Sequence, residues 1–125
     1  MIKNERQYRI TKAQAAEFAS ALQLLKSQPT GDLHPKLLQA QIAAVESQFA
    51  DLDSELIEYQ SLRNERPAVI EAQSLEELPR ALIRARIAVG LSQKDLATKM
   101  GLKEQQIQRY EATDYASASL GRISD

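Results

Sequence analysis

The chain has 125 residues, of which 43% are hydrophobic, and its 16 basic and 17 acidic side chains leave a formal net charge of −1. This length and composition allow a modest hydrophobic core, built as one compact domain or as two small ones. Because the chain contains no cysteine and a single histidine, disulfides, thiolate metal sites and histidine-rich zinc sites are excluded.

The first predicted helix begins at Thr11 and ends near Ser27. Thr11 and Gln14 have the spacing of a capping box, and the segment Pro29-Thr30-Gly31 interrupts the pattern that follows. Apolar residues recur between these signals at helical spacing: Ala15, Phe18, Ala19, Leu22 and Leu25.

The second predicted helix begins at Pro35, a residue that favours the first helical position, and runs to about Asn64. His34, just before it, is expected to cap this helix or face solvent rather than to bind a ligand. Alternating steps of four and three separate the apolar residues, an average spacing typical of a coiled-coil seam: Leu38, Ile42, Val45, Phe49, Leu52, Leu56 and Tyr59. Residues 1–64 are therefore predicted to form an antiparallel helical hairpin.

The two predicted helices differ in length. At 1.5 Å per residue the second would measure ~45 Å and the first only ~25 Å, so the far end of the second, with Leu56, Tyr59 and Leu62, lacks a cover. Three covers stay open: the Tyr8 to Ile10 segment, the C-terminal domain, or a second subunit. The last of these predicts a homodimer formed through the second helix.

Residues 65–73 have no helical period and contain Pro67, so they are predicted to be an extended linker. Residues 74–125 form the predicted C-terminal domain. Ser74 and Glu77 have capping-box spacing at its start. Pro79 is tolerated there if the helix begins one turn later, with a short turn near Leu78.

Two short helices joined by a tight turn are predicted between Leu91 and Glu111. Ser92 and Asp95 form a capping box, Leu96, Ala97 and Met100 share one face, and Gly101 ends the first of these helices. The next helix begins near Lys103. Its inward residues are Ile107 and Tyr110, and its outward residues are Glu104, Gln105, Gln108 and Arg109.

This pattern resembles the helix-turn-helix domains of the Cro, cI and Xre type, which occur in phage repressors, bacterial regulators and antitoxins. The resemblance covers roughly Leu78 to Ile123. It is carried by Gly90-Leu91-Ser92-Gln93, Asp95-Leu96-Ala97, Gly101, Ile107 and Tyr110-Glu111. It implies an all-α fold of the lambda-repressor-like type, in which Arg86 and Glu111 form a buried ion pair. The family domain has five helices and a fourth would begin here at Ser119, so either the chain is truncated or another element completes the core.

The resemblance also implies binding to double-stranded DNA. Gln93 would contact a phosphate, Gln105 and Arg109 would contact bases, and Lys103, standing where the family usually has a Ser or Thr cap, would add a phosphate contact. The complete set of candidate DNA-binding residues is Gln93, Lys103, Glu104, Gln105, Gln106, Gln108, Arg109, Thr113 and Ser117.

Charge limits this interpretation, because the chain from Ser74 onward carries eight basic and seven acidic residues. Such a domain should bind DNA weakly as a monomer and need two half-sites or a partner. The alternative is an antitoxin-like or adaptor protein that acts through its hairpin. In that case the acidic residues of the second helix, otherwise a solvated flank, would dock a basic, toxin-like partner; they are Glu46, Asp51, Asp53, Glu55 and Glu58.

Motifs for other functions are missing from the sequence. There is no G-x-S-x-G or phosphate-loop pattern, so no enzymatic activity, metal or cofactor is expected. No apolar run approaches the ~20 residues needed to span a bilayer, and the first residues lack the apolar stretch of a signal peptide. We therefore expect a cytoplasmic protein.

Overall fold

The computed structural model describes residues 1–27, 34–67 and 69–116. The regular structure in these ranges is entirely helical, which confirms the predicted all-α class, and none of the described helices is both long and apolar enough to cross a bilayer. The helices are α1 (Glu5–Ser27), α2 (Pro35–Glu65), α3 (Leu78–Ala88), α4 (Gln93–Met100) and α5 (Glu104–Ala112).

The start of α1 was predicted wrongly. Asn4, rather than Thr11, caps the helix: its Oδ1 accepts a hydrogen bond from the backbone N–H of Gln7 at 2.8 Å. The Gln7 side chain in turn accepts from the backbone N–H of Lys3 at 2.9 Å. Asn4 and Gln7 have the same spacing as Thr11 and Gln14 in the predicted capping box. No helix-breaking residue lies between Asn4 and Thr11, so the helix continues from one to the other. The Tyr8 to Ile10 segment is therefore part of α1 and is not a separate cover.

The bounds of α2 agree with the prediction. His34 caps it, since its Nδ1 accepts from the backbone N–H of Lys36 at 3.1 Å and its carbonyl accepts from Leu37 and Leu38. Residues of the turn before His34 lie outside the described residues. An exposed ion pair of 3.0 Å joins Lys26 of α1 to Glu46 of α2 across the hairpin; such a pair adds little stability.

The far end of the α2 seam is buried within the chain, as either of the two intramolecular covers would require. Leu56, Tyr59 and Leu62 are buried within a single chain, with 8%, 5% and 8% of their surface exposed. α1 has 23 residues and is ~35 Å long, which is longer than the sequence predicted. Ile2 is buried, and the Met1 ammonium lies 2.9 Å from Oε1 of Glu55. The uncovered stripe that predicted a dimer through this end of α2 is therefore absent.

Two compact units make up the chain, Met1–Glu58 and Tyr59–Asp125. The division falls inside α2, and the predicted domain bounds, with a linker at residues 65–73, stay a prediction. Linker residues 66, 67 and 69–73 form no helix. Arg66, at φ +44°, brings its guanidinium next to Gly90, where a Cβ would lie 3.6 Å from Nη2. The second unit therefore includes the end of α2 and part of the linker.

The first helix of the C-terminal domain begins at Leu78, one turn after Ser74. The predicted Ser74 box does not form, because the Glu77 carboxylate accepts instead from the backbone N–H of Gln73 at 2.9 Å. A turn over residues 74–78 precedes the helix, with Pro79 in its first turn, where the missing amide removes no helical bond. The core of this unit contains Ala81, Ile83, Ile87, Ala88, Ala97 and Ile107.

Candidate nucleic-acid interface

Local signals fix both ends of α4. The Ser92 hydroxyl accepts from the backbone N–H of Asp95 at 3.0 Å, and the Asp95 carboxylate accepts from the backbone N–H of Ser92 at 3.1 Å. These backbone and side-chain hydrogen bonds to Ser92 lower the pKa of Asp95. Gly101 ends the helix at φ +68°, in the left-handed region that glycine adopts without steric cost. The predicted boundaries of α4 are confirmed.

The start of α5 is stabilised by a different hydrogen bond. Lys103 has no side-chain acceptor and cannot cap the helix in the usual way. The Oε1 atom of Gln106 instead accepts from the backbone N–H of Lys103 at 3.0 Å. Gln106 is half-buried, and its carbonyl oxygen stabilises the start of α5; its predicted contact with DNA is not tested and stays a prediction.

A buried polar network joins the three helices. Arg86 Nε and Nη2 donate to the two carboxylate oxygens of Glu111 at 2.7 and 2.9 Å, and Arg86 Nη1 donates to the Leu91 carbonyl at 2.8 Å. Glu111 is fully buried and Arg86 is 7% exposed. The ion pair that the resemblance implied is therefore present. Every buried side-chain nitrogen and oxygen in the described part of the chain has a hydrogen-bond partner.

Gln93 belongs to this network and not to the surface. Its side chain is only 5% exposed, and its Nε2 donates to Oε1 of Glu111 at 3.0 Å. The phosphate contact that the resemblance implied for this side chain is not tested by these contacts and stays a prediction. A buried carboxylate that already takes two bonds from Arg86 still has lone pairs to satisfy, and the amide of Gln93 satisfies one of them. Lys94, the next residue, is exposed at the start of α4.

The outward face of α5 agrees with the prediction. Ile107 is 1% exposed and Tyr110 is half-buried, and the opposite face presents four exposed polar side chains: Glu104, Gln105, Gln108 and Arg109. Three exposed lysines lie on or next to α4 and α5: Lys94, Lys99 and Lys103. This surface combines hydrogen-bonding groups that can read base edges with cations that can neutralise phosphates.

The segment after α5 contains features that the sequence did not reveal. Asp114 and Tyr115 both have positive φ, 49° and 61°, values that are uncommon for residues other than glycine. The Tyr115 backbone N–H donates to the Tyr110 carbonyl at 2.6 Å, and the two rings stack with centroids 6.0 Å apart. Burial raises the pKa of Tyr115, and the nearby Glu111 carboxylate raises it further.

Other side chains of this segment turn back onto the domain. The Thr113 hydroxyl donates to the Arg109 carbonyl at 3.0 Å, and Arg80 of α3 lies 3.6 Å from the Asp114 carboxylate. That ion pair partly offsets the only acid of the segment. Thr113 was predicted to contact DNA and nothing tests that contact. Ser117 and Ser119, predicted as a DNA contact and as the cap of a fourth helix, lie outside the described residues.

Comparison with known proteins places this geometry in a family. Residues 82–124 match the family model described as helix-turn-helix. No curated protein and no solved structure matches the chain. The match begins in α3 and includes α4, α5 and the whole buried network, in agreement with the resemblance seen in the sequence. The C-terminal part of this chain is therefore a helix-turn-helix domain of the Cro/cI type, the kind of domain with which regulators bind DNA.

Proposed function

We propose that the chain is a sequence-specific, DNA-binding transcriptional regulator of the Xre type, acting in the cytoplasm of a bacterium or in a phage-infected cell. It works by binding and not by catalysis. The observation that carries the proposal is the polar row on α5, which stands on the side opposite to a buried, fully hydrogen-bonded network.

The network fixes how α5 is rotated about its axis. Glu111 and Ile107 are held in the core, with 0% and 1% of their surface exposed, so the face that carries Gln105 and Arg109 is pre-oriented toward solvent. Preorganised side chains lose less entropy when they bind. Glutamine pairs bidentately with adenine and arginine with guanine in the major groove. The proposal therefore gives Gln105 and Arg109 the reading of bases, and Lys94, Lys99 and Lys103 the contacts with phosphates.

Dimerisation is the second part of the proposal. A domain with nearly balanced charge gains little affinity from phosphate neutralisation, and two recognition helices ~34 Å apart would use two half-sites on one face of the DNA. The hairpin supports pairing, although not through Leu56, Tyr59 and Leu62, which are buried. Its remaining seam residues, such as Leu38, Val45 and Phe49, are only half-buried, and Ile57 is 57% exposed.

Fluorescence anisotropy with labelled duplex DNA from upstream of the chain's own gene tests this function. We expect tighter binding to this DNA than to a scrambled duplex, with an affinity that falls as salt rises. Gln105→Ala should lose ~1–3 kcal/mol of discrimination at one base pair. Gln23→Ala, which changes an exposed glutamine on α1, is the matched control and should bind as the parent does. Equal binding of all sequences by parent and variants would refute sequence-specific reading.

An antitoxin-like or adaptor protein is the alternative function. It is favoured by large apolar side chains that remain exposed on the hairpin, Ile10 at 49%, Leu24 at 57% and Ile57 at 57%, and by the net charge of −1. Co-expression with the products of adjacent genes, followed by co-purification, separates the two. A stable complex with a basic, toxin-like partner, lost in Ile57→Glu and formed by a chain that shows no DNA specificity at low salt, would favour the alternative.

A further inference from the structure

Glu104 places a negative charge in a surface that is otherwise suited to a polyanion. It is the first residue of α5, its side chain is exposed, and Lys103 and Gln105 flank it. On a helix that enters the major groove, its carboxylate is repelled by phosphates. Glu104 therefore either weakens binding to every sequence or gains a contact that only some bases provide.

The contacts of α5 leave this carboxylate able to accept further hydrogen bonds. Oε1 of Glu104 lies 3.5 Å from Nε2 of Gln108, one turn later, which is long for a hydrogen bond. Gln106, by contrast, has its amide oxygen engaged at 3.0 Å by the Lys103 backbone. Glu104 and Gln108 thus lie together on the outward face of α5, and the carboxylate can exchange its weak neighbour for a stronger donor.

The base edges of the major groove offer that donor unequally. A carboxylate only accepts hydrogen bonds. Guanine presents two acceptors and thymine presents one acceptor and a methyl group, so both repel it. Adenine has an amino group, but its N7 acceptor lies beside that group. Cytosine presents the N4 amino group with no acceptor next to it on the same base. A carboxylate in this groove therefore favours cytosine.

We propose that Glu104 is a specificity-determining residue that selects a C·G base pair in each half-site by accepting a hydrogen bond from cytosine N4. The assignment rests on the proposed function, since it requires α5 to enter the major groove. Opposite guanine or thymine the carboxylate faces acceptor atoms without compensation, and opposite adenine the N7 acceptor lies beside the donor. Glu104 thus contributes to specificity as much by rejecting wrong bases as by binding the right one.

Selection from randomised duplex DNA, carried out with the full chain and with Glu104→Gln, tests the assignment. Glutamine has the same length and can both donate and accept, so the variant should change the preferred base from cytosine to adenine at one position of each half-site and leave the other positions unchanged. On duplexes that differ only at this position, the parent should prefer C·G by roughly ten- to 150-fold, the range expected for one hydrogen bond to a charged group. The variant should lose this preference.

Glu17→Gln is the matched control, because it removes the same charge from an exposed position on α1 and should leave the selected sequence unchanged. If Glu104→Gln binds all duplexes more tightly but keeps the parent's base preferences, Glu104 only repels phosphates and the assignment is overturned. The proposed function survives that result, because the parent still selects a sequence. If neither protein enriches any sequence, the proposed function fails and the role of Glu104 fails with it.

Discussion

Replacement of Glu111 by alanine should destabilise the C-terminal domain more than any surface change. The carboxylate is fully buried and takes three hydrogen bonds, two from Arg86 and one from Gln93. Without it, the guanidinium of Arg86 stays buried with its charge uncompensated, although it keeps the bond to the Leu91 carbonyl. Breaking a buried ion pair in this way costs ~3–5 kcal/mol.

That free energy translates into a large thermal shift. For a domain of this size, 1 kcal/mol lowers the melting temperature by at least ~4 °C, so Glu111→Ala should lower it by ~12 °C or more. Circular dichroism during heating provides the measurement. Glu76→Ala, in the exposed turn before α3, serves as the control and should change the stability by less than ~0.5 kcal/mol.

A double variant shows whether Glu111→Ala loses stability because the charge of Arg86 is left uncompensated or because packing is lost. Arg86→Met combined with Glu111→Leu removes both charges and keeps apolar volume in the core, so most of the stability lost in Glu111→Ala should return, because such replacements are often neutral or stabilising. A melting temperature of Glu111→Ala within error of the parent would refute the reasoning. A double variant as unstable as the single one would show that packing, not charge, governs the site.

Three other outcomes are expected. Gln93→Ala should lower stability by ~1.5–3 kcal/mol, because it removes a hydrogen bond to the charged Oε1 of Glu111, which keeps the bond from Arg86; an unchanged melting temperature with weaker DNA binding would favour the phosphate contact that the resemblance implied. Asp95 has a lowered pKa in the folded state, so its stabilisation is complete above the ordinary pKa of aspartate and is lost as the pH falls through the folded value. Asp95→Asn should therefore make the free energy of unfolding depend less on pH in the acidic range. The same pH dependence in the parent and the variant would contradict this. Light scattering should show a dimer for the parent and a monomer for Ile57→Glu, and a parent that is monomeric at micromolar concentration would exclude pairing through the hairpin.

Features determined within a few residues of sequence were predictable. The Ser92 and Asp95 box, the Gly101 stop and the entry of α2 at Pro35 each depend on backbone groups no more than four residues away. A correct amino acid at the correct spacing is then nearly sufficient evidence. The start of α1 shows the limit of this reasoning. Asn4 and Thr11 are each followed by a glutamine three residues later, so both have capping-box spacing, and the helix begins after the first of them.

Features that depend on distant partners were not predictable from spacing alone. The resemblance supplied the Arg86 and Glu111 pair, but it also placed Gln93 on the surface, since a glutamine at the start of a helix has no local reason to turn inward. The reason is 18 residues away in the sequence, in the buried carboxylate of Glu111 that accepts its hydrogen bond. For the far end of α2, spacing likewise left three covers open, because the burial of Leu56 and Tyr59 depends on contacts that spacing does not specify.

The inward turn of Gln93 has a consequence for how this domain would bind DNA. A residue that contacts a phosphate and a residue that holds the core respond differently to mutation, and Gln93 is buried with a hydrogen bond to Glu111. The exposed polar groups then begin with Lys94 on α4 and Glu104 on α5. A lysine contacts phosphate as a point charge and contributes to the salt dependence of binding, as a neutral glutamine does not. Affinity for DNA of any sequence should therefore depend on Lys94, whereas the choice of sequence should depend on the outward residues of α5.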